Sequence, residues 1–289
     1  MRQNSTAEGL IFHSRGTTLD SHGTLLSLTR EDAHWETMTF FVRRLVKGDS
    51  RSFGSNNEEV ALVILGGRCA VDWGEGLQQI GERDQVFGGL PYALYLPPSF
   101  TAHLEAETAC EIAECRVPST ARLQPRLIRP QDVKVTFRGG GNASRQIVDV
   151  MPPEFPAEKL MVVEVYIPGG NWAGFPPHKH DVHNPPGEVD LDEIYYFRME
   201  HPAGYAHQRL YSLDGRRDVT LLVHDGDLVL VREGYHPTVA GHGYNVYFLN
   251  FLAGSARSMA NTEDPSHVWV KSTWKEIDPR LPLVGRHGA

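Results

Sequence analysis

The chain has 289 residues, 40% apolar and 22% charged, the balance of a globular protein able to bury a core. Acidic residues (36) outnumber basic ones (28) for a formal charge of −8, which argues against a nucleic-acid partner, since phosphate contact depends on clustered Lys and Arg. No apolar run approaches the ~18 residues of a membrane-spanning helix.

The opening MRQNSTAEGL lacks the basic flank and apolar run of a secretory leader. Cys69, Cys110 and Cys115 are odd in number and form no CxxC, which fits a reducing compartment. Cys110 and Cys115, five apart, would face opposite sides of one strand and so not pair. A cytoplasmic protein is expected, long enough for two domains.

Taken in order, the chain shows strand signals almost throughout: Thr37–Arg43, Val60–Leu65, Tyr92–Leu96, Lys159–Ile167, Leu221–His224 and Leu228–Val231 are short apolar runs bounded by Gly, Pro, Asn and Asp. The best helical candidate is a single turn at Pro130–Val133, so the fold class is all-β. Two stretches share one plan. Asp84 leads through Tyr92–Thr101 to Cys110–Arg116, and Asp225-Gly-Asp227 leads through Leu228–His236 to Tyr244–Leu252. Laying Leu96 on Val231 puts Thr101 where His236 stands, so a duplication is expected that carries metal-type ligands only in its second copy. The Pro-punctuated Pro118–Arg126 reads as a linker, placing an N-terminal domain at 1–125 and a catalytic domain at 126–289. The triple glycine in Arg138-Gly-Gly-Gly-Asn-Ala-Ser-Arg145 permits either a close backbone approach to a ligand or a plain sharp turn. The tail from Asp264, with Trp269 and Trp274, is expected to pack on the second domain or on another subunit.

His178 and His180, two apart, project to one face of an extended strand, as bidentate capture of a metal requires. Such a pair alone is weak evidence. Glu193 strengthens it, because a carboxylate inside the apolar run Asp192-Glu-Ile-Tyr-Tyr-Phe is costly unless paired or bound to a cation. Simple alternation offers another reading, with Glu193 in solvent and Ile194 and Tyr196 inward. His236, after the Gly234-Tyr235 turn, completes a mixed N/O set suited to Zn, Mn, Fe or Ni with positions left open for substrate.

An HxH pair, a later Glu and a third His after a turn is the metal pattern of the cupin superfamily, small antiparallel β-barrels. Glu193 lies 13 residues after His180, further than is usual there, and the intervening His183–Asp190 is expected over the barrel mouth. RGGGNASRQ, VVEVYIPGGNW, PPHKHD, DEIYYFR, GYHP and GYNVYFLNFLAG, in this order, resemble the 5-deoxy-glucuronate isomerase family of myo-inositol breakdown. They cover Arg138 to Gly254, with Gln124–Pro130 extending the likeness upstream and LPYALYLPP a looser match in the first half. Arg232 stands where the family has Pro, and Phe251 where Met is common.

The resemblance implies a bicupin whose degenerate first barrel lacks metal. It implies one divalent ion, Zn or Mn before Fe or Ni, on His178, His180, Glu193 and His236. It further implies conversion of 5-deoxy-D-glucuronate to 5-dehydro-2-deoxy-D-gluconate, and a homo-oligomer acting on a small sugar acid, without nucleic acid or membrane. A proton carrier is needed, for which Tyr235, Tyr196, His183, Tyr244 or a metal-bound water are open choices. The substrate carboxylate calls for an Arg fork from Arg145, Arg198 or Arg209, with Tyr244 positioning substrate. The same ligand set would also serve an Fe(II) dioxygenase or a non-enzymatic sugar-binding cupin.

Overall fold

The computed structural model describes residues 9–14, 19–20 and 23–285. The first eight residues, on which the reading of the chain's start rests, lie outside that range. Strands make up nearly every element, and the α-helix among the described residues is the single turn Arg30–Ala33. It starts on a capping box, in which Thr29 Oγ1 accepts from Asp32 N at 3.1 Å and Asp32 accepts from Thr29 N at 3.0 Å. Pro130–Val133, expected as a helical turn, is instead a closed turn. Asp132 N donates to Arg129 O at 2.9 Å and Asp132 Oδ2 accepts from Arg129 N, after which the strand Lys134–Arg138 begins at once.

By contact the chain divides into two compact units. One comprises Val135–Asp149 and Val162–Leu283 together with the described residues before Arg15; the other comprises the described part of Gly16–Lys134 with Val150–Met161. Sequence order and unit membership therefore interleave. In the C-terminal unit a seven-stranded sheet runs Ile11–Phe12, Leu228–Val231, Leu191–Met199, Val246–Gly254, Met161–Ile167, Arg145–Met151, Lys134–Arg138. A four-stranded sheet, Trp172–Ala173, Thr238–Ala240, Tyr205–Tyr211, Asp218–His224, closes the barrel. Alternation points Val163, Val165, Tyr195, Phe197, Leu210, Leu221 and Val229 into one apolar core. The edge strand Ile11–Phe12 pairs antiparallel with Leu228–Val229, an addition that nothing in its short sequence announces.

The N-terminal unit repeats the layout. Arg126–Ile128, Ala93–Leu96, Glu58–Gly66, Cys110–Pro118, Thr39–Leu45 and Thr24–Leu28 form its larger sheet. Ser50–Gly54, Thr101–Ala106, Cys69–Asp72 and Gln78–Ile80 form the smaller one. Its core is built from residues such as Val60, Leu62, Ile64, Leu94 and Leu104. The segment around 158–160 is fastened to this unit by Glu59, which is fully buried. Its carboxylate accepts from Glu158 N (2.9 Å), Lys159 N (2.7 Å), Leu160 N (2.6 Å) and the Tyr95 hydroxyl (3.0 Å). Four donors offset the cost of removing that charge from water.

Candidate metal centre and its cavity

His178 lies on a two-residue strand paired with Thr262–Glu263, so that His178 and Glu263 stand opposite each other. Glu193 sits in Leu191–Met199 between Val231 on one neighbouring strand and Leu252 on the other. His236 follows the Gly234 turn, where φ is +86° and an added Cβ would meet Tyr211 O at 2.7 Å, so glycine is required there. That turn is tied to the His-Lys-His segment by Gly234 N donating to Asp181 Oδ2 at 2.7 Å. Lys179 points away from the histidines and is held by Asp181 (2.5 Å) and Glu188 (2.8 Å).

These constraints bring the three imidazoles together. Ring centroids are 4.7 Å apart for His178–His236, 4.9 Å for His180–His236 and 6.0 Å for His178–His180. One nitrogen from each lies within 4.8 Å of the others. His180 Nε2 is 2.9 Å and His236 Nε2 3.4 Å from Glu193 Oε2. Glu193 is 4% exposed, so the alternative reading of a solvent-facing carboxylate does not hold; Ile194 and Tyr196 on the other face are buried as well.

The backbone decides what the imidazoles present to that carboxylate. His180 Nδ1 is 3.0 Å from Leu191 O, and His236 Nδ1 is 2.9 Å from Gly234 O. A carbonyl oxygen only accepts, so both Nδ1 atoms carry hydrogen, and in the neutral rings both Nε2 lone pairs face Glu193. His236 Nε2 is buried without a hydrogen bond. Acceptors converging on acceptors in a buried site need a proton or a cation between them, and the three imidazoles form a group that could hold a metal ion. The close packing of these groups shifts their titrations. Burial, reinforced by His236 and His180, holds His178 well below the usual histidine range. Burial alone would push Glu193 up, but the adjoining His180 and His236 bring it down to about 2.

A cavity of about 400 Å³ opens onto the cluster. His178 and Glu193 line it together with Tyr195, Asn250, Arg138, Arg145, Glu263, Lys271 and Trp274. Burial, and next the neighbouring Arg138, lower Arg145 to about 10. Its hydrogen bonds go to the carbonyls of Ala143 (3.1 Å) and Phe175 (3.5 Å) rather than to a carboxylate. Burial and the charge of Glu193 raise Tyr195 well above the usual phenol range, which keeps its hydroxyl protonated. Glu263 is paired with Lys271 at 2.6 Å. The triple glycine serves close approach here: Gly139 lines the cavity, and a Cβ on Gly140 would come within 2.6 Å of Trp274 Cβ.

Of the residues singled out from sequence, His178, His180, Glu193, His236 and Arg145 are brought to this place. The others are not. Tyr235 is buried, stacks on Tyr211 at 5.2 Å and lines a different pocket beside Lys179. Tyr196 lies on the strand face opposite Glu193, because the side-chain period of a strand is two. His183 is exposed, 2.7 Å from Ser255 Oγ. Arg198 pairs with Asp225 (2.8 Å), Arg209 with Asp218 (2.8 Å) and Tyr244 with the Tyr205 backbone (2.8 Å), all outside the cavity lining.

The insertion expected over the barrel mouth is also not in the lining; residues 259–263 and the 3₁₀ turn Val268–Thr273 border the cavity instead. Glu188 pins the insertion by accepting from Asp181 N (2.9 Å) and Val182 N (3.0 Å). Two of the missed residues had a signal in sequence. Tyr195 is two residues from Glu193, and Asn250 pairs with Tyr195 across the sheet. Glu263, Lys271 and Trp274 had none, since they arrive by a return of the tail.

The profile of the KduI/IolB family matches residues 12–270. The 5-deoxy-glucuronate isomerase of Geobacillus thermodenitrificans is 40% identical over 253 residues, 87% of this chain and 92% of that protein. The Bacillus subtilis protein of the same name is 33% identical over 246 residues, 84% and 91% of the two chains. The crystal structure of an IolB-like protein from Salmonella typhimurium superposes with a TM-score of 0.85 at 35% identity, covering 90% of this chain and 98% of that one. Oxalate decarboxylase of Bacillus subtilis shares the fold, with a TM-score of 0.64 at 14% identity, over 91% and 81% of the two chains.

Proposed function

The chain belongs to the KduI/IolB family, and we propose that it is a 5-deoxy-glucuronate isomerase, converting 5-deoxy-D-glucuronate to 5-dehydro-2-deoxy-D-gluconate. Homologues of that name cover most of the chain. The observation that carries the chemistry is the pair of buried Nε2 lone pairs aimed at Glu193. His178, His180, Glu193 and His236 would hold one divalent ion, with Zn or Mn favoured over Fe or Ni. When bound, that ion supplies Lewis-acid polarisation of the substrate's carbonyl and neighbouring hydroxyl oxygens.

The remaining work falls to side chains of the cavity. Isomerisation removes a proton from the carbon beside the aldehyde and returns it to the aldehyde carbon through an enediolate. Arg145, cationic and without a carboxylate partner among its hydrogen bonds, takes the substrate carboxylate in place of Arg198 and Arg209. Tyr195, kept protonated, donates a hydrogen bond toward the oxygen-bearing end, and Asn250 lines the wall beside it. Glu263 stands across from His178, lines the cavity and is paired with Lys271 at 2.6 Å, so we assign it the proton transfer in place of Tyr235, Tyr196 or His183.

The reading extends to a metal-free N-terminal barrel, a catalytic C-terminal barrel, a homo-oligomer and a cytoplasmic location. No helix among the described residues is long and apolar enough to cross a membrane. Purified protein should contain about one divalent ion per chain by elemental analysis and convert the aldose acid without nicotinamide or oxygen. Oxygen uptake with this substrate, or turnover unchanged after the metal is stripped, would overturn it. Glu263→Gln should lower kcat by about 10²-fold or more with metal content intact. Unchanged kcat would remove Glu263 from the mechanism while leaving the isomerase standing.

A further inference from the structure

Within the N-terminal unit two buried thiols face each other. Cys69 begins the strand Cys69–Asp72 and Cys110 begins Cys110–Pro118. Their residues are 0% and 4% exposed, and the sulfurs are 3.2 Å apart, about 1 Å beyond a disulfide bond length. Cys110 also approaches Arg68 O at 3.0 Å. Gly67 makes the room, since a Cβ there would come within 2.7 Å of Cys110 Sγ and 2.2 Å of Ala109 O. Spacing along the chain gave no hint of this pair, which two different sheets bring together.

We propose that Cys69 and Cys110 form an oxidisable dithiol, a modification site at which a peroxide closes a reversible intramolecular disulfide. Cys110 is the attacking sulfur. The hydrogen bond from Cys69, working against burial, brings its thiol down to about 7, while the same contact and burial push Cys69 up. The Cys110 thiolate attacks one peroxide oxygen, the O–O bond breaks, and the departing hydroxide takes a proton to leave as water. Cys110 is then a sulfenic acid. Cys69 loses its proton as its sulfur attacks that of Cys110. The S–S bond forms, the S–O bond breaks, and a second water leaves. Two thiols are thereby oxidised by two electrons in total, and hydrogen peroxide is reduced to two waters. Cys115 is an internal control: it is fully buried, and burial, with the charges of Glu59 and Glu114, raises its thiol well above the ordinary range.

The test treats the intact, metal-loaded protein with hydrogen peroxide, then denatures it and labels free thiols with N-ethylmaleimide. Free glutathione in the same tube reports that oxidant was sufficient. The expected result is loss of two of the three labels, with Cys115 still labelled and a Cys69–Cys110 cross-linked peptide in the digest. Dithiothreitol should restore all three labels. In Cys69→Ser the cross-link should vanish and dimedone should tag Cys110. Three labels after complete oxidation of the glutathione, a cross-link through Cys115, or no dimedone tag on Cys110 in folded Cys69→Ser would each overturn the proposal. The wild-type labelling decides the matter even if the variant folds poorly.

Discussion

The two barrels put equivalent ladder positions to opposite uses. In the C-terminal sheet Glu193 faces Val231 and Leu252, and Tyr195 faces Val229 and Asn250. In the N-terminal sheet Val60 faces Leu96 and Arg116, and Leu62 faces Leu94 and Glu114. Register thus sets Val60 where Glu193 stands, Leu62 at Tyr195 and Glu114 at Asn250. Both interiors contain buried charge, but they surround it differently. Glu114, fully buried, is gripped by Arg43 and, at 2.5 Å, by Arg116, which also reaches Glu58 at 3.3 Å. That network neutralises itself. Around Glu193 the neighbours are imidazoles whose Nδ1 atoms are fixed by backbone carbonyls, a group that could hold a cation. A buried carboxylate by itself is therefore no sign of a metal; what surrounds its oxygens decides.

The sharpest way to break this contrast is His236→Ala. Metal content should fall to background and turnover by about 10³-fold or more, the loss of several kcal/mol of charge stabilisation. Circular dichroism should still report a folded β protein. Retained turnover would place the reaction elsewhere. In the other barrel, Glu114→Ala should cost about 3–5 kcal/mol in denaturant unfolding, because it leaves the buried Arg43 guanidinium without its carboxylate partner. Bound metal per folded chain should be unchanged, and loss of metal there would mean that the two interiors are not independent.

A smaller effect is expected from Arg145→Ala, about a 10²-fold fall in kcat/KM, carried mainly by KM as suits a group that holds the substrate's far end. The matching Arg198→Ala should stay within about twofold, since its guanidinium already serves Asp225. Tyr235→Phe should change kcat by less than about twofold, and a large loss would restore it as a proton carrier.

Much of this was legible in advance where the chemistry is local. Alternating apolar runs with Gly and Pro breaks identified an all-β chain, and His178, His180, Glu193 and His236 stood out because each is a polar group at a position where an apolar residue or a turn was expected. Closeness in sequence is not closeness in space. Tyr235, Tyr196 and His183 are near His236, Glu193 and His180 along the chain, yet adjacent residues on a strand face opposite sides, and it is Tyr195, two positions from Glu193, that lines the cavity. Arg198 and Arg209 were chosen as strand cations, and only their pairing with Asp225 and Asp218 reveals them as already satisfied.

The sequence by itself determined the fold class and the family and singled out His178, His180, Glu193 and His236, because side-chain period, turn chemistry and residue type are properties of short segments. Tertiary structure decided the rest. It turned Nδ1 of His180 and His236 toward backbone carbonyls, returned Glu263, Lys271 and Trp274 to the cavity, and set Cys69 against Cys110. Each of these is a contact between segments far apart in the chain, fixed by how sheets close on one another and left unmarked by any local pattern.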